Sequence, residues 1–177
     1  MRIDLECCSI RPWRRSDRDS LIRHADNRKI WRNLADVFPH PYTAQDADAW
    51  FSLLEAQSPL TNFAIEVDGE AIGGIGLTPF KDVGCKTAEF GYWLGEAHWG
   101  RGIATAAAKA FIAYVFENDV FVRLQAGVFE WNPASMRVLE KVGCVREGVL
   151  RCSVFKDGQV IDRVLYAITR DAMRGPA

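Results

Sequence analysis

One stretch constrains this chain more than any other: Phe90-Gly91-Tyr92-Trp93-Leu94-Gly95-Glu96-Ala97-His98-Trp99-Gly100-Arg101-Gly102-Ile103-Ala104-Thr105. An aromatic-rich run leads into a glycine-bearing turn, and an alanine-rich helix follows. At such a helix start the first backbone N–H groups lack intrahelical acceptors and the dipole is positive. Glycine lets an anion approach the backbone closely. The stretch therefore predicts a phosphate or pyrophosphate site over residues 100–105. A plain helix start that needs small residues is the alternative reading. A P-loop would end in Lys-Ser/Thr, but Ile103-Ala104 follows Gly102. A dinucleotide fingerprint would need glycine where Thr105 stands, and a larger doubly wound domain.

The flanking sequence supplies the rest of a layered α/β domain. Residues 3–12 read as a first strand. Ser16 or Asp17 caps a helix to about residue 27, and Thr43 caps another over about 44–57, with Ala47, Trp50, Phe51 and Leu54 at helical spacing. Two prolines exclude a regular element at 38–42. Strands 63–67 and 71–77 flank Asp68-Gly69, a favoured two-residue hairpin turn. Residues 87–94, 101–118 and 122–129 form a strand–helix–strand unit, so the two strands should run parallel. A short helix over 133–142 ends at Gly143, and a hairpin of 145–155 with 160–168 turns at Asp157-Gly158.

The 177 residues suit one domain, residues 1–177, with no linker or repeat to divide it. Lys and Arg total 22 against 23 Asp and Glu, so the basic excess of a dedicated nucleic-acid binder is absent. No apolar run is long enough for a membrane helix, and Arg2, Asp4 and Glu6 interrupt the N-terminal segment where a secretory signal needs an apolar core. Cys7, Cys8, Cys85, Cys144 and Cys152 are odd in number and form no C-x-x-C pair. With His24, His40 and His98 they complete no zinc spacing. Reduced thiols, a cytoplasmic location and no metal are the expectation.

The 90–105 stretch resembles motif A of the GNAT superfamily of N-acetyltransferases, in which a Gln/Arg-x-x-Gly-x-Gly/Ala turn holds the pyrophosphate of coenzyme A. Gly102-Ile103-Ala104 supplies the Gly-x-Ala half, and Trp99 stands at the Gln/Arg position. A second stretch, Val128 to Cys144, resembles the family's strand–Asn-x-x-Ser–helix–Gly motif through Asn132, Ser135 and Gly143. Asn132 reads equally as a helix N-cap with Pro133 at the first helical position. Arg11-Pro12-Trp13, Ala88 to Leu94, the Trp99–Gly102 turn and the Asp157-Gly158 … Asp162 … Leu165-Tyr166 ending resemble the ribosomal-protein N-terminal acetyltransferase (Rim-type) branch. The resemblance implies a mixed, mostly antiparallel seven-stranded sheet with a parallel central βαβ pair and helices on both faces.

The resemblance also implies direct attack of an amine on the acetyl-CoA thioester. On this sequence the donor falls to Trp93 and Leu94, whose backbone would pair with the pantetheine arm. Trp99, Gly100, Arg101, Gly102, Ile103, Ala104, Thr105 and Asn132 complete the donor set, and the Leu94 N–H is the candidate oxyanion donor. Glu89, Gly91 and Trp93 share one strand face. A carboxylate on a central strand is the candidate general base, through water; the alternative is a carboxylate paired with an arginine or a backbone amide. Some relatives carry a tyrosine acid seven residues after the motif Asn, where this chain has Leu139. Ser135 is left to stabilise the departing sulfur by a hydrogen bond, or to be an ordinary first-turn residue.

Trp31, Phe38 and Tyr42 are candidate walls of an acceptor pocket, with core packing as their alternative. An α-amine with a pKa near 8 is about a tenth neutral at pH 7, whereas a lysine amine near 10.4 is almost wholly charged. A site without a strong base thus suits an α-amine, at a protein N-terminus or on an amino-acid-like acceptor, better than a lysine. Acetylation of a small amine (an amino acid, amino sugar or antibiotic) and a non-catalytic acyl-CoA-binding module are the other readings. The implied partners are acetyl-CoA and the amine, without nucleic acid or membrane; similar proteins also form homodimers.

Overall fold

A computed structural model describes residues 1–118 and 120–174. The chain begins with β1 (Ile3–Asp4), β2 (Ser9–Pro12), a 3-10 turn (Arg15–Asp17), α1 (Arg18–Ala25), α2 (Arg28–Trp31) and α3 (Ala44–Ala56). It continues through β3 (Asn62–Val67), β4 (Glu70–Pro79), β5 (Thr87–Leu94), α4 (Ile103–Asn118), β6 (Arg123–Phe129), α5 (Pro133–Lys141), β7 (Val145–Lys156), β8 (Gln159–Thr169) and α6 (Arg170–Arg174). The strands are ordered β1-β2-β3-β4-β5-β6-β8-β7.

The sheet therefore has eight strands rather than the expected seven. The extra strand comes from the N-terminus, where residues 3–12 are not continuous. The Leu5 N–H bonds to the Cys8 carbonyl at 2.9 Å, and the resulting turn folds β1 back antiparallel on β2. The expected parallel pair is β5 with β6. Its register covers only Thr87–Glu89 against Arg123–Gln125, although β5 runs on to Leu94 and β6 to Phe129. The pairs β2–β3, β3–β4, β6–β8 and β7–β8 are antiparallel.

Two compact units emerge from the backbone: Met1–Gly76 with Tyr92–Ala107, and Leu77–Gly91 with the chain from Ala108. In the first, Leu21, Ala25, Tyr42, Ala47, Phe51 and Leu54 form a buried cluster. Trp13, Ile22, Phe38, Trp50, Leu60 and Trp93 pack against it. Thr43 closes a reciprocal capping box with Asp46 that fixes the start of α3. Arg11 is 1% exposed and is held by Asp17, at 2.7 and 2.9 Å, and by Glu66. A buried guanidinium is tolerated only when its charge is matched and its donors are used, and this pairing meets both needs. The Arg11-Pro12-Trp13 segment thus ties β2 to β3 and to the 3-10 turn.

In the second unit, Leu124, Ala126 and Val128 occupy the buried face of β6 with the period of two that a strand requires. Phe111, Ile112, Val115 and Phe116 of α4 and Leu139 of α5 are also buried. Asn132 caps α5 and Gly143 ends it at φ +90°. Asp157 and Gly158 both take positive φ, the geometry of the tight hairpin turn expected between β7 and β8.

Candidate functional site

The first unit carries the glycine turn. At the end of β5 the Gly95 N–H bonds to the Ile72 carbonyl at 2.7 Å. A short 3-10 turn, Glu96–His98, follows, and Asn27 (2.8 Å) and Lys29 hold the Glu96 carboxylate there. Gly100 and Gly102 then adopt φ +74° and +79°, and a β-carbon at either would meet nothing within 4 Å. Both glycines are thus required by torsion, and the space beside them is open. The first intrahelical bond of α4 runs from the Ala106 N–H to the Gly102 carbonyl at 3.0 Å. The N–H groups of Ile103, Ala104 and Thr105 precede it and are the set that a helix start offers to an anion. Open glycines and helix-start donors in one place fit the phosphates of a CoA-type donor.

Trp99 replaces the family's Gln/Arg with a structural tie. Its indole Nε1–H donates to the Leu94 carbonyl at 2.8 Å, so the turn is pinned to the strand end, while the residue remains 44% exposed. Arg101 is exposed, and its Nη1 lies 3.3 Å from Nδ1 of His98.

The Trp93 side chain belongs to an aromatic cluster. It lies 5.5 Å from Phe38, which lies 5.1 Å from Tyr42. Gly74 on β4 makes room for it, since a β-carbon there would come within 2.8 Å of the Trp93 Nε1. Of the three candidate acceptor residues, Phe38 thus meets Trp93, and Tyr42 meets Phe38 and is buried in the core. Burial pushes its phenol up to about 12, with the Asp46 charge adding to the shift. Trp31 stacks obliquely on His40 at 5.9 Å.

The second unit holds Glu89, Asn132 and Ser135. Glu89 forms an ion pair with Arg163 of β8, both side chains about one-third exposed. This is the paired arrangement the sequence left open as an alternative. Arg163 stands opposite Phe129 on β6, and its guanidinium lies where a β-carbon at Gly127 would be. Asn132 accepts from the Ser135 N–H at 3.1 Å, so its side chain serves as the N-cap. Leu139 is fully buried at the position where some relatives have an acid. Cys144 is buried, and burial pushes its thiol up to about 12, which keeps it from acting as a nucleophile. Among the described residues no group of three His, Cys, Asp or Glu side chains is placed to hold a metal ion, and no helix is long and apolar enough to cross a membrane.

Arg163 and Gly127 escaped the sequence reading. The available signal was Gly127 on the less buried face of β6, between Gln125 and Phe129, with Arg163 in the second strand of the β7–β8 hairpin. The distance in sequence from Glu89 hid the pair.

Residues 9–145 match the family described as the Acetyltransferase (GNAT) domain. The chain belongs to the GNAT family. Its domain is that of an N-acetyltransferase, and the family takes the acetyl group from acetyl-CoA. Relatives include the ribosomal-protein-serine acetyltransferase of Escherichia coli, 34% identical over 59% of this chain and 58% of that one. The spermidine N(1)-acetyltransferase of Escherichia coli is 29% identical over 90% of this chain and 84% of that one. The matched stretch spans between 56% and 58% of the length of several curated relatives. Among solved structures, Mycobacterium smegmatis RimJ in complex with CoA-disulfide is 29% identical. It superposes with a TM-score of 0.79 over 96% of this GNAT chain and 84% of its own.

Proposed function

We propose that the chain, acting as one transferase domain in the cytoplasm, acetylates the α-amino group of a protein N-terminus; a relative is named a ribosomal-protein-serine acetyltransferase. The observation that carries this reading is the Glu89–Arg163 ion pair. A carboxylate that already has a guanidinium partner offers no unmatched charge to attract a polycation. The acceptor that suits such a site is an amine with a substantial neutral fraction, and an α-amine has about a tenth at pH 7. Five cysteines present as free thiols support the cytoplasmic location.

In this reading the Gly100–Thr105 segment holds the donor's phosphates, the backbone at Trp93 and Leu94 aligns the pantetheine arm, and Asn132 borders it. The neutral amine attacks the thioester carbon, and the Leu94 N–H stabilises the oxyanion. The surplus proton leaves through water to the Glu89 carboxylate, the C–S bond breaks, and the Ser135 hydroxyl donates to the departing thiolate. A serine is too weak an acid to protonate a thiolate whose conjugate pKa is about 8.5. Phe38 and Trp31 line the approach of the acceptor, with Tyr42 packed behind Phe38.

A small amine is the second reading, favoured by the match of the spermidine relative along nine-tenths of this chain. Intact-mass spectrometry separates the two. The protein is incubated with acetyl-CoA, an unblocked Ala- or Ser-starting peptide, an N-blocked lysine peptide, spermidine and other small amines. An acetyl shift on the unblocked peptide alone is expected. A shift on spermidine or another small amine without any on the peptide would overturn the N-terminal reading.

A further inference from the structure

A chain of polar contacts leads from the core of the first unit to the glycine turn. Leu21 and Ala25 anchor α1 in the buried cluster, and His24 lies between them on the same helix. The His24 ring sits in a notch that only glycine at position 95 allows, because a β-carbon there would overlap the imidazole. The His24 Nε2 bonds to Oε1 of Glu70 at 2.6 Å, and Arg23 reaches the same oxygen at 2.5 Å. The His24 hydrogen bond holds the Glu70 carboxyl below its ordinary range, against the effect of burial and with help from Arg23. The edge of this fixed imidazole meets His98, with ring centres 5.4 Å apart and planes at 72°. His98 in turn stands 3.3 Å from the Arg101 guanidinium, between the two open glycines.

We propose that His98, steadied by His24, positions the Arg101 guanidinium for a phosphate of the acetyl donor. This rests on the reading that the Gly100–Thr105 segment holds those phosphates. Only a neutral imidazole can accept the Arg101 N–H at Nδ1. Protonation of His98 removes that acceptor and places a second cation beside the guanidinium. The groups facing His98 are His24 on α1, Arg101 on the turn, Glu70 on β4 and Asp68 in the β3–β4 turn. Burial, followed by His24 and Arg101, holds His98 below its usual value, against the pull of the two carboxylates. The positioning contact is therefore intact at neutral pH and is lost as pH falls through the His98 value. His98 and His24 are positioning residues and touch no reacting atom.

The test is calorimetric titration with CoA at about pH 8 and about pH 4.5, the lower value set well below an ordinary histidine because His98 is held beneath it. Asn in place of His98 keeps an acceptor near the Nδ1 position and cannot titrate. The wild type is expected to lose affinity by about three- to tenfold at the lower pH, beyond any loss seen in H98N. H98A is expected to bind about three- to tenfold more weakly at both values, with no extra loss in acid. H98N should recover the affinity lost in H98A. The phosphate monoester of CoA also titrates near 6, but identically for every variant, so the difference between wild type and H98N isolates the histidine. In steady-state assays the H98A effect should fall on KM for acetyl-CoA and leave kcat unchanged. Wild-type affinity in H98A at both pH values would overturn the inference. Gly102→Val provides the separate control. If it leaves CoA binding intact, the turn itself is not the phosphate site. If it abolishes binding while the His98 variants behave as wild type, only the positioning role falls.

Discussion

The Arg163 guanidinium occupies the volume that a β-carbon on Gly127 would take, and from there it reaches Glu89. Gly127 is therefore required by a neighbouring side chain rather than by its own torsion. Gly127→Ala should fold, because the displaced group is the flexible end of an arginine. It should cost less than about 1 kcal/mol, since the ion pair it disturbs is partly exposed. Its effect should fall on kcat, about tenfold, as the Glu89 carboxylate loses its fixed position. Urea unfolding with steady-state kinetics on the same preparation checks both halves.

Glu89→Gln should lower kcat about a hundredfold with KM for acetyl-CoA unchanged, the size expected of a general base. Ser135→Ala should cost far less, because in the proposed reaction the hydroxyl only donates to a leaving thiolate. Single-turnover measurement of thiol release with a good acceptor is the appropriate assay. Wild-type rates in both variants would remove these residues from the chemistry.

Gly102→Ala separates torsion from space. The position has φ +79° and open surroundings, so the added methyl clashes with nothing and meets only the left-handed penalty. Stability should fall by about 1–2 kcal/mol. KM for acetyl-CoA should rise as the turn relaxes away from the helix start. Thermal unfolding and a donor-saturation curve report the two effects independently.

Arg11→Met should be the most damaging single change in the first unit. It leaves the Asp17 side chain, 7% exposed, without its cation, and the Glu66 side chain, 10% exposed, with only Arg2 at 3.4 Å, a loss of about 3–5 kcal/mol. The pH dependence follows from Glu66. Burial pushes its carboxyl up, but the Arg11 hydrogen bond and charge, with help from Arg2, outweigh burial and leave it below its ordinary value. A depressed folded value contributes stability above the unfolded carboxyl value of about 4.3, and that stability is lost as pH falls through the folded value. Denaturant midpoints of the wild type should therefore fall on acidification below about pH 4.3, and this share of the acid sensitivity should shrink in Arg11→Met, where only Arg2 still faces Glu66.

Thiol titration in the native state should find three fast cysteines out of five. Cys7, Cys85 and Cys152 are exposed, while Cys8 and Cys144 are buried with thiols pushed up to about 12, by burial first in both. Cys8 has Cys7 as a further cause. Denaturation should release the remaining two.

Local chemistry made much of the architecture legible. Thr43 with Asp46, Asn132 with Pro133, and the Asp-Gly pairs at 68–69 and 157–158 each act within a few residues, so cap and turn geometry followed from the sequence. The glycine turn was legible for the same reason. What stayed hidden depends on partners far apart in the chain. The Leu5-to-Cys8 turn that divides the first strand has no glycine or proline to announce it. The Trp99 tie to Leu94 looked like a lost phosphate ligand, because an indole N–H does not declare its acceptor. The Arg163 partner of Glu89 lies 74 residues away and becomes visible only through the β6–β8 register.

The Arg11 cluster also bears on how such a chain can change over time. Losing the arginine strands two acids, and losing either acid leaves the arginine undermatched. Each single step therefore passes through a less stable protein, whereas exchanging the whole set for apolar groups need not. The three positions are thereby bound into one heritable block that joins β2, β3 and the 3-10 turn. Drift at the surface can proceed residue by residue, but here it must wait for changes that arrive together.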